Sequence, residues 1–239
     1  SNATTTGTVQ PMVLTGDNCV GIGTSSPAAM LHIQNASSGG VLLLERQDDS
    51  TSGTMGEINF GSRSYDDQLV SIKAIMDGST TSGALVFSTE ATGAAISEAM
   101  RIDSSGNVGI GVSALETWHG DMSVLQIGGT GAISNETSAA AGKELNLTHN
   151  AYWDINSGNW ERQATASDEA SRYRQVNGTH TFMTAVAGLA DSTITWVDNL
   201  VLDTNSRISL SNNDGGLYNT VFGKSAGNAL ASGGNANVH

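Results

Sequence analysis

The chain repeats itself. "MVLTGDNCVGIG" at 12–23, "MRIDSSGNVGIG" at 100–111 and "LVLDTNSRISLS" at 200–211 carry one phrase. Met12, Met100 and Leu200 align, as do Leu14, Ile102 and Leu202, then Val20, Val108 and Ile208, then Ile22, Ile110 and Leu210. Internal repetition constrains a fold strongly, because each copy must solve the same packing problem. Apolar residues alternate on either side of a spacer, "GDNC" at 16–19, "SSGN" at 104–107 and "TNSR" at 204–207. Period two is the pattern of a strand with one buried face. The spacer residues tolerate positive φ or bond their own backbone. Each copy is therefore expected to be a short hairpin and a structural joint, with Met100, Ile102, Val108 and Ile110 buried in the second. Gly109 and Gly111 are expected to let another backbone come close, and Ser209 and Ser211 keep those positions small in the third copy.

Repetition extends beyond the phrase. "GALVFSTEATG" at 83–93 precedes the second copy and "GTHTFMTAVAG" at 178–188 the third, so that Phe87 and Thr89 correspond to Phe182 and Thr184. "MLHIQ" at 30–34 and "VLQIG" at 124–128 follow the first two copies. The expected organisation is an expression-tag scar at 1–3 and an N-terminal hairpin joint at 4–34. β-rich modules at 35–127 and 128–214 follow, then a Gly/Asn/Ala-rich, β-roll-like segment at 215–239 that reads as truncated. Further strands are expected at 40–46, 56–61, 69–76, 143–148, 172–176 and 192–198. Helical turns are suggested weakly at 113–122 and at 167–175, where Ser167 or Asp168 precedes "EAS" in a capping-box pattern.

Charged residues are 14% of the chain and aromatics 5%, against about 25% charged in an average globular protein. Many short strands with few large apolar side chains make a poor core for one chain, and exposed strand edges invite aggregation. Burying strands between identical chains answers both problems. An elongated, intertwined homotrimer is one such arrangement, since closed cyclic symmetry is common in homo-oligomers. A net charge of −13 disfavours nucleic acid and anionic membrane surfaces as partners. No apolar run approaches the roughly 20 residues of a membrane-spanning helix, so no membrane insertion is expected. The single cysteine, Cys19, excludes an internal disulfide and a multi-cysteine zinc site.

"AMRIDSSGNVGIGVSA" and "NCVGIGTSSPAAMLHIQ" resemble a repeat of bacteriophage tail fibres and related host-attachment fibres, where it lies ahead of a C-terminal self-cleaving chaperone domain. "NAYWDINSGNWERQATASDEASRYRQVNGTHTFMT" at 150–184 resembles another segment of such fibres. "NTVFGKSAGNALASGGNANV" resembles the β-roll repeat of fibres and trimeric adhesins. The resemblance implies an all-β, elongated homotrimeric fibre of repeated hairpin modules, with β-prism, triple-β-helix or β-sandwich-like segments. It implies a place in the virion tail fibre, other tail-fibre proteins as partners, and attachment to a host glycan or outer-membrane receptor. No chaperone domain is visible in the chain, and no catalytic motif is carried over.

Other motifs have plain structural readings. "GIGTSSP" at 21–27 lacks the third glycine of a dinucleotide loop and has no βαβ context. His32, His119, His149, His180 and His239 form no metal-ligand spacing. The acidic pairs Asp48–Asp49, Asp66–Asp67 and Asp168–Glu169 read as solvated turns, so neither enzyme, cofactor nor metal is expected. The suggestive cluster is Tyr152, Trp153, Asp154, Asn159, Trp160 and Tyr173. Flat rings beside polar groups suit the apolar faces and hydroxyl edges of sugars. The competing reading is that these rings pack an interface or close a module. A receptor-binding fibre segment is the expected function, with a tailspike-like polysaccharide depolymerase or a bacterial trimeric adhesin as alternatives.

Overall fold

A computed structural model describes residues 12–35, 37–62, 64, 66–164, 166–205 and 208–210, the last three by backbone alone. The expected tag scar at 1–3, Ser211 and the β-roll-like segment at 215–239 lie outside the described residues. The chain divides into two compact units, Ser1–Gln47 and Asp48–His239. The expected change of module at 127/128 falls inside one continuous sheet. Every regular element among the described residues is a strand, so the fold is all-β as the alternation predicts.

In the first unit, β1 (Val13–Leu14) and β2 (Val20–Ile22) form the expected hairpin, with Leu14 opposite Val20. β3 (Leu31–Ile33) then runs parallel to β2, placing Ile22 beside Ile33. Thr15 N donates to Cys19 O at 3.0 Å and Asn18 N to Thr15 O at 3.1 Å. Asn18 takes a φ of 61° to close this turn.

The second unit opens with β4 (Ser52–Ser62), β5 (Asp66–Asp77), β6 (Gly83–Thr89), β7 (Ser97–Ile102) and β8 (Val108–Ile110). It continues through β9 (Met122–Ile127), β10 (Gly131–Glu136), β11 (Leu145–His149), β12 (Tyr152–Trp153) and β13 (Trp160–Glu161). β14 (Asp168–Val176), β15 (Thr179–Gly188), β16 (Val197–Leu202) and β17 (Ile208–Leu210) complete it. Twelve of these strands form one sheet in chain order, while β12 and β13 pair separately. All neighbours in the large sheet are antiparallel except β8 and β9.

The repeat is a structural repeat down to its register. β7 and β8 pair Met100 with Ile110 and Ile102 with Val108; β16 and β17 pair Leu200 with Leu210 and Leu202 with Ile208. The preceding strands correspond too, with Phe87 opposite Met100 and Phe182 opposite Leu200. A bulge follows each phenylalanine, between Phe87 and Ser88 and between Phe182 and Met183. The second turn copies the first: Asp103 N donates to Asn107 O at 2.9 Å and Gly106 N to Asp103 O at 3.0 Å, with Gly106 at φ 85° where Asn18 stands in the first copy. The Asp103 carboxylate accepts the Ser105 and Asn107 amides, the side-chain turn that such spacers favour.

The two glycines of the phrase have different reasons. A Cβ on Gly109 would lie 3.0 Å from Leu115 Cδ1 and 3.3 Å from the Val112 carbonyl oxygen, so the chain's own following loop crosses there. Gly21 is approached likewise by the Thr24 carbonyl. Gly111 has open space instead, and its requirement is a φ of 67°. The close approach expected at both positions therefore holds at Gly109 and not at Gly111.

The large sheet has one covered and one open face. Val86, Gln126, Ser134, Asn146, Arg172 and Thr181 project to the covered face and are buried. Over β9–β15 this face carries the core: Trp118, Tyr152, Trp160 and Ile194 from the loops and from the β12–β13 hairpin pack on Met122, Val124, Ala132, Ala170 and Ala185. On the other face stand Phe60, Val70, Leu85, Ile110, Ile127, Ile133, Leu147, Phe182 and Leu202, all between 37% and 53% exposed. The joint residues lie on this open face: Met100, Ile102 and Val108 are half-buried and Ile110 is exposed. Their expected burial fails within one chain because the crossing loops all cover the opposite side.

Four local expectations are corrected. Residues 167–175 are strand, since Asp168–Val176 finds ladder partners in both β11 and β15 that outweigh the capping pattern. Residues 113–122 form no helix, and the segment at 40–46 forms no strand. The strand expected at 192–198 starts only at Val197, preceded by an isolated bridge between Thr193 and Glu161.

Candidate functional site

The aromatic cluster is brought together on the covered face, but its members have separate roles. Tyr152 is 3% and Trp160 6% exposed, so both belong to the core and offer no face to a ligand. The Tyr152 hydroxyl donates to Asp191 Oδ1 at 3.1 Å, and burial together with this carboxylate pushes the phenol far up. Arg172 lies 4.3 Å over the Trp160 ring, a buried cation–π contact. Tyr173 is on the open face, beside His180 and tilted against Phe182 at 4.8 Å, away from the other rings. Tyr152 and Trp160 are corrected from ligand contacts to packing, while Tyr173 is half-buried and lines a separate cavity of about 450 Å³.

Asp154 is also buried and structural. Its carboxylate accepts the Asn156 and Ser157 amides at 2.8 and 2.7 Å and the Thr117 hydroxyl at 2.5 Å. The Thr117 bond, reinforced by these amides, holds its pKa below the ordinary 3.8. It thereby shapes the β12–β13 turn, which Gly158 completes at φ 64°. Asn159 is exposed on that turn, with its side chain bonded to Ser157 O. His119 N donates to Trp153 O at 2.8 Å and Ile155 N to Thr117 O at 2.8 Å, strapping the hairpin to the loop before β9.

Trp153 keeps surface toward a cavity beside the β12–β13 hairpin. It is half-buried, edge-on to Trp160 at 5.6 Å and to His119 at 6.4 Å. With His119, Asp121, Met122, Glu136, Glu144 and Gly158 it lines a cavity of about 270 Å³, close to the small end of ligand pockets, about 300 Å³. The carboxylates come from where β9 begins, where β10 ends and where β11 begins. Glu136 accepts Lys143 Nζ at 2.8 Å and the Glu144 amide at 3.0 Å, which lowers its pKa, led by the lysine. Glu144 pairs with Arg172 at 2.6 Å. Asp121 is exposed and reaches His119 Nδ1 at 3.6 Å. A ring wall, hydroxyl acceptors and one sugar-sized hollow are thus adjacent. Trp153 is among the residues singled out from the sequence; the carboxylates beside it are not, because Asp121, Glu136 and Glu144 are distant in sequence and meet only through the β9–β10–β11 ladder. Among the described residues no three His, Cys, Asp or Glu side chains converge to hold a metal ion.

No family model matches the chain, and no curated protein matches it. Among solved structures it is similar to the carboxy-terminal domain of the bacteriophage T5 L-shaped tail fibre with its intramolecular chaperone domain. The TM-score is 0.41 at 10% identity, covering 87% of this chain and 68% of that one. A second structure, of that carboxy-terminal domain, gives 0.40 at 11% identity over 87% of this chain and 95% of that one.

Proposed function

We propose that the chain is a structural and receptor-binding segment of a phage tail fibre, a homotrimer within the virion that works by binding without turnover. The observation that carries this reading is the open apolar face, continuous from β4 to β16. Large exposed apolar side chains that recur on one face from strand to strand mark a surface for association. Two further copies of the chain, each offering the same face, would cover it about a threefold axis. The repeated phrase and its resemblance to fibre repeats support the same reading.

The outer, covered side would then present the Trp153 cavity to a host-surface glycan three times over, and multivalency would raise avidity without new contacts. Glu136 and Glu144 are each held by a cation, Lys143 and Arg172. That suits fixed acceptors of sugar hydroxyls better than a proton-shuttling pair. Light scattering should give three times the 24.6 kDa chain mass; a single-chain mass would sink the reading. On arrays of host glycans, Trp153→Ala should abolish retention without changing that mass. Release of reducing ends from host polysaccharide would favour the depolymerase alternative.

A further inference from the structure

We infer that Val41–Arg46 is an exchanged strand, pairing with β3 of a second copy of this chain. The inference rests on the homotrimer reading and adds to it a specific seam. Its basis is a comparison between the first and second copies of the repeat. Ile33 stands to Ile22 as Ile127 stands to Ile110. Beyond that point the copies agree for one more position: a Cβ on Gly40 would meet the Ile33 carbonyl oxygen at 2.1 Å, as one on Gly131 would meet the Ile127 oxygen at 3.0 Å. Gly40 is thus the counterpart of Gly131.

After Gly131 the chain turns back as β10 and pairs with β9, Ser134 opposite Val124. After Gly40 it forms no ladder, and the outer edge of β3 is left open among the described residues. Among the described residues, a strand sequence at 41–45 that forms no ladder and a β3 edge that carries none are therefore complements by the register of the second repeat. Reciprocal exchange between copies fills both, which is the logic of domain swapping.

The side chains explain why a single chain leaves them apart. β10 reads Ala-Ile-Ser-Asn and alternates, whereas residues 41–44 read Val-Leu-Leu-Leu. A continuous apolar run belongs to a strand covered on both faces. In this unit Gly21 is the only buried residue among those described. Val41, Leu42, Leu43 and Leu44 are 77%, 58%, 71% and 45% exposed, and Met30 is 71% exposed. The described residues of the unit offer them no core; neighbouring copies would supply the second covering layer.

The register makes Leu43 the partner of Met30. Opposed antiparallel residues have Cβ atoms about 4.5–5.5 Å apart, near enough for a disulfide after small adjustment. The full chain carrying Cys19→Ser, Met30→Cys and Leu43→Cys is oxidised and run on a non-reducing denaturing gel. Exchange predicts covalent two- and three-chain species that dithiothreitol returns to one. Thiols lost with the single-chain band retained would mean pairing within one chain, and thiols retained would mean no pairing; either overturns the inference. Hydrogen exchange on the unsubstituted protein gives an independent reading, with amides 41–46 protected in the assembly if the strand is exchanged and unprotected if it is not. A three-chain mass with single-chain gel bands sinks the exchange alone, while a single-chain mass sinks the homotrimer as well.

Discussion

Along β9, β10, β11, β14 and β15, the covered face of the sheet is the more polar one and the open face the more apolar. Gln126, Ser134, Asn146, Thr148, Arg172 and Thr181 are buried, while Ile127, Ile133, Leu147 and Phe182 are exposed. The covered face works because most of its polar groups have named partners. Gln126 Oε1 accepts Trp118 Nε1 and the Glu116 amide, both at 3.1 Å; Arg172 donates to Asn146 Oδ1 at 2.7 Å and pairs with Glu144. Buried polar groups are tolerated when hydrogen-bonded. The contrast teaches that intrachain packing here is specific and bonded, whereas the greasy, less directional surface is the one the proposed assembly would use.

The contrast can be broken at Leu147. If the open face is covered in the assembly, Leu147→Asp places a charge in an apolar seam, and the mass measured by sedimentation should fall from three chains to one. If that face met only water, the change should stay within about 0.5 kcal/mol. On the covered face, Arg172→Ala leaves Asn146 Oδ1 without its donor and Glu144 with only the more distant Arg174 at 3.7 Å, and urea unfolding should show a loss of about 3–5 kcal/mol. Equal, small effects at both positions would erase the distinction between the faces.

Asp154→Asn should cost about 1–2 kcal/mol at neutral pH through weakened charge-assisted bonds. Its pKa is held below 3.8 by Thr117 and the turn amides. A carboxylate depressed on folding contributes stability that is present above the unfolded value and lost as pH falls through the folded one. The gap between wild type and variant should therefore be full above pH 3.8 and shrink in more acidic solution; melting temperature against pH reads it. The smallest effect concerns the joint. Gly106→Ala should cost about 1 kcal/mol, because Gly106 sits at φ 85° with open space for a Cβ. Gly106→Asn should cost less than half of that, since Asn18 already holds the equivalent position at φ 61°. Equal losses in chemical denaturation would show that the two turns differ.

Much of this was legible in the residues. Alternation located β4, β5, β11 and the three hairpins, and the repeat aligned pairs that the register confirms, such as Leu14–Val20 with Ile102–Val108. What alternation cannot say is which face the chain itself will cover. Asn146 and Gln126 look like solvent-facing residues in sequence, because their partners at Arg172 and Trp118 arrive through tertiary pairing. For the candidate site, the aromatic cluster was readable as a cluster. Trp160 became core and Trp153 kept an open side because β12 and β13 present adjacent rings differently to one loop. That depends on the bonds from His119 and Thr117, which no local pattern encodes.

The bulges after Phe87 and Phe182 have a consequence for how such a chain changes length. Each inserts one residue at the same place ahead of its hairpin, so in-and-out parity is reset identically before the second and third joints. Joining the turn at Asp103 to the chain following Asp203 would bring Ile102 opposite Ile208, the partnership Leu202 now holds. The two joints therefore behave as splice points at which whole cassettes can be dropped, duplicated or traded while the strand register stays in phase.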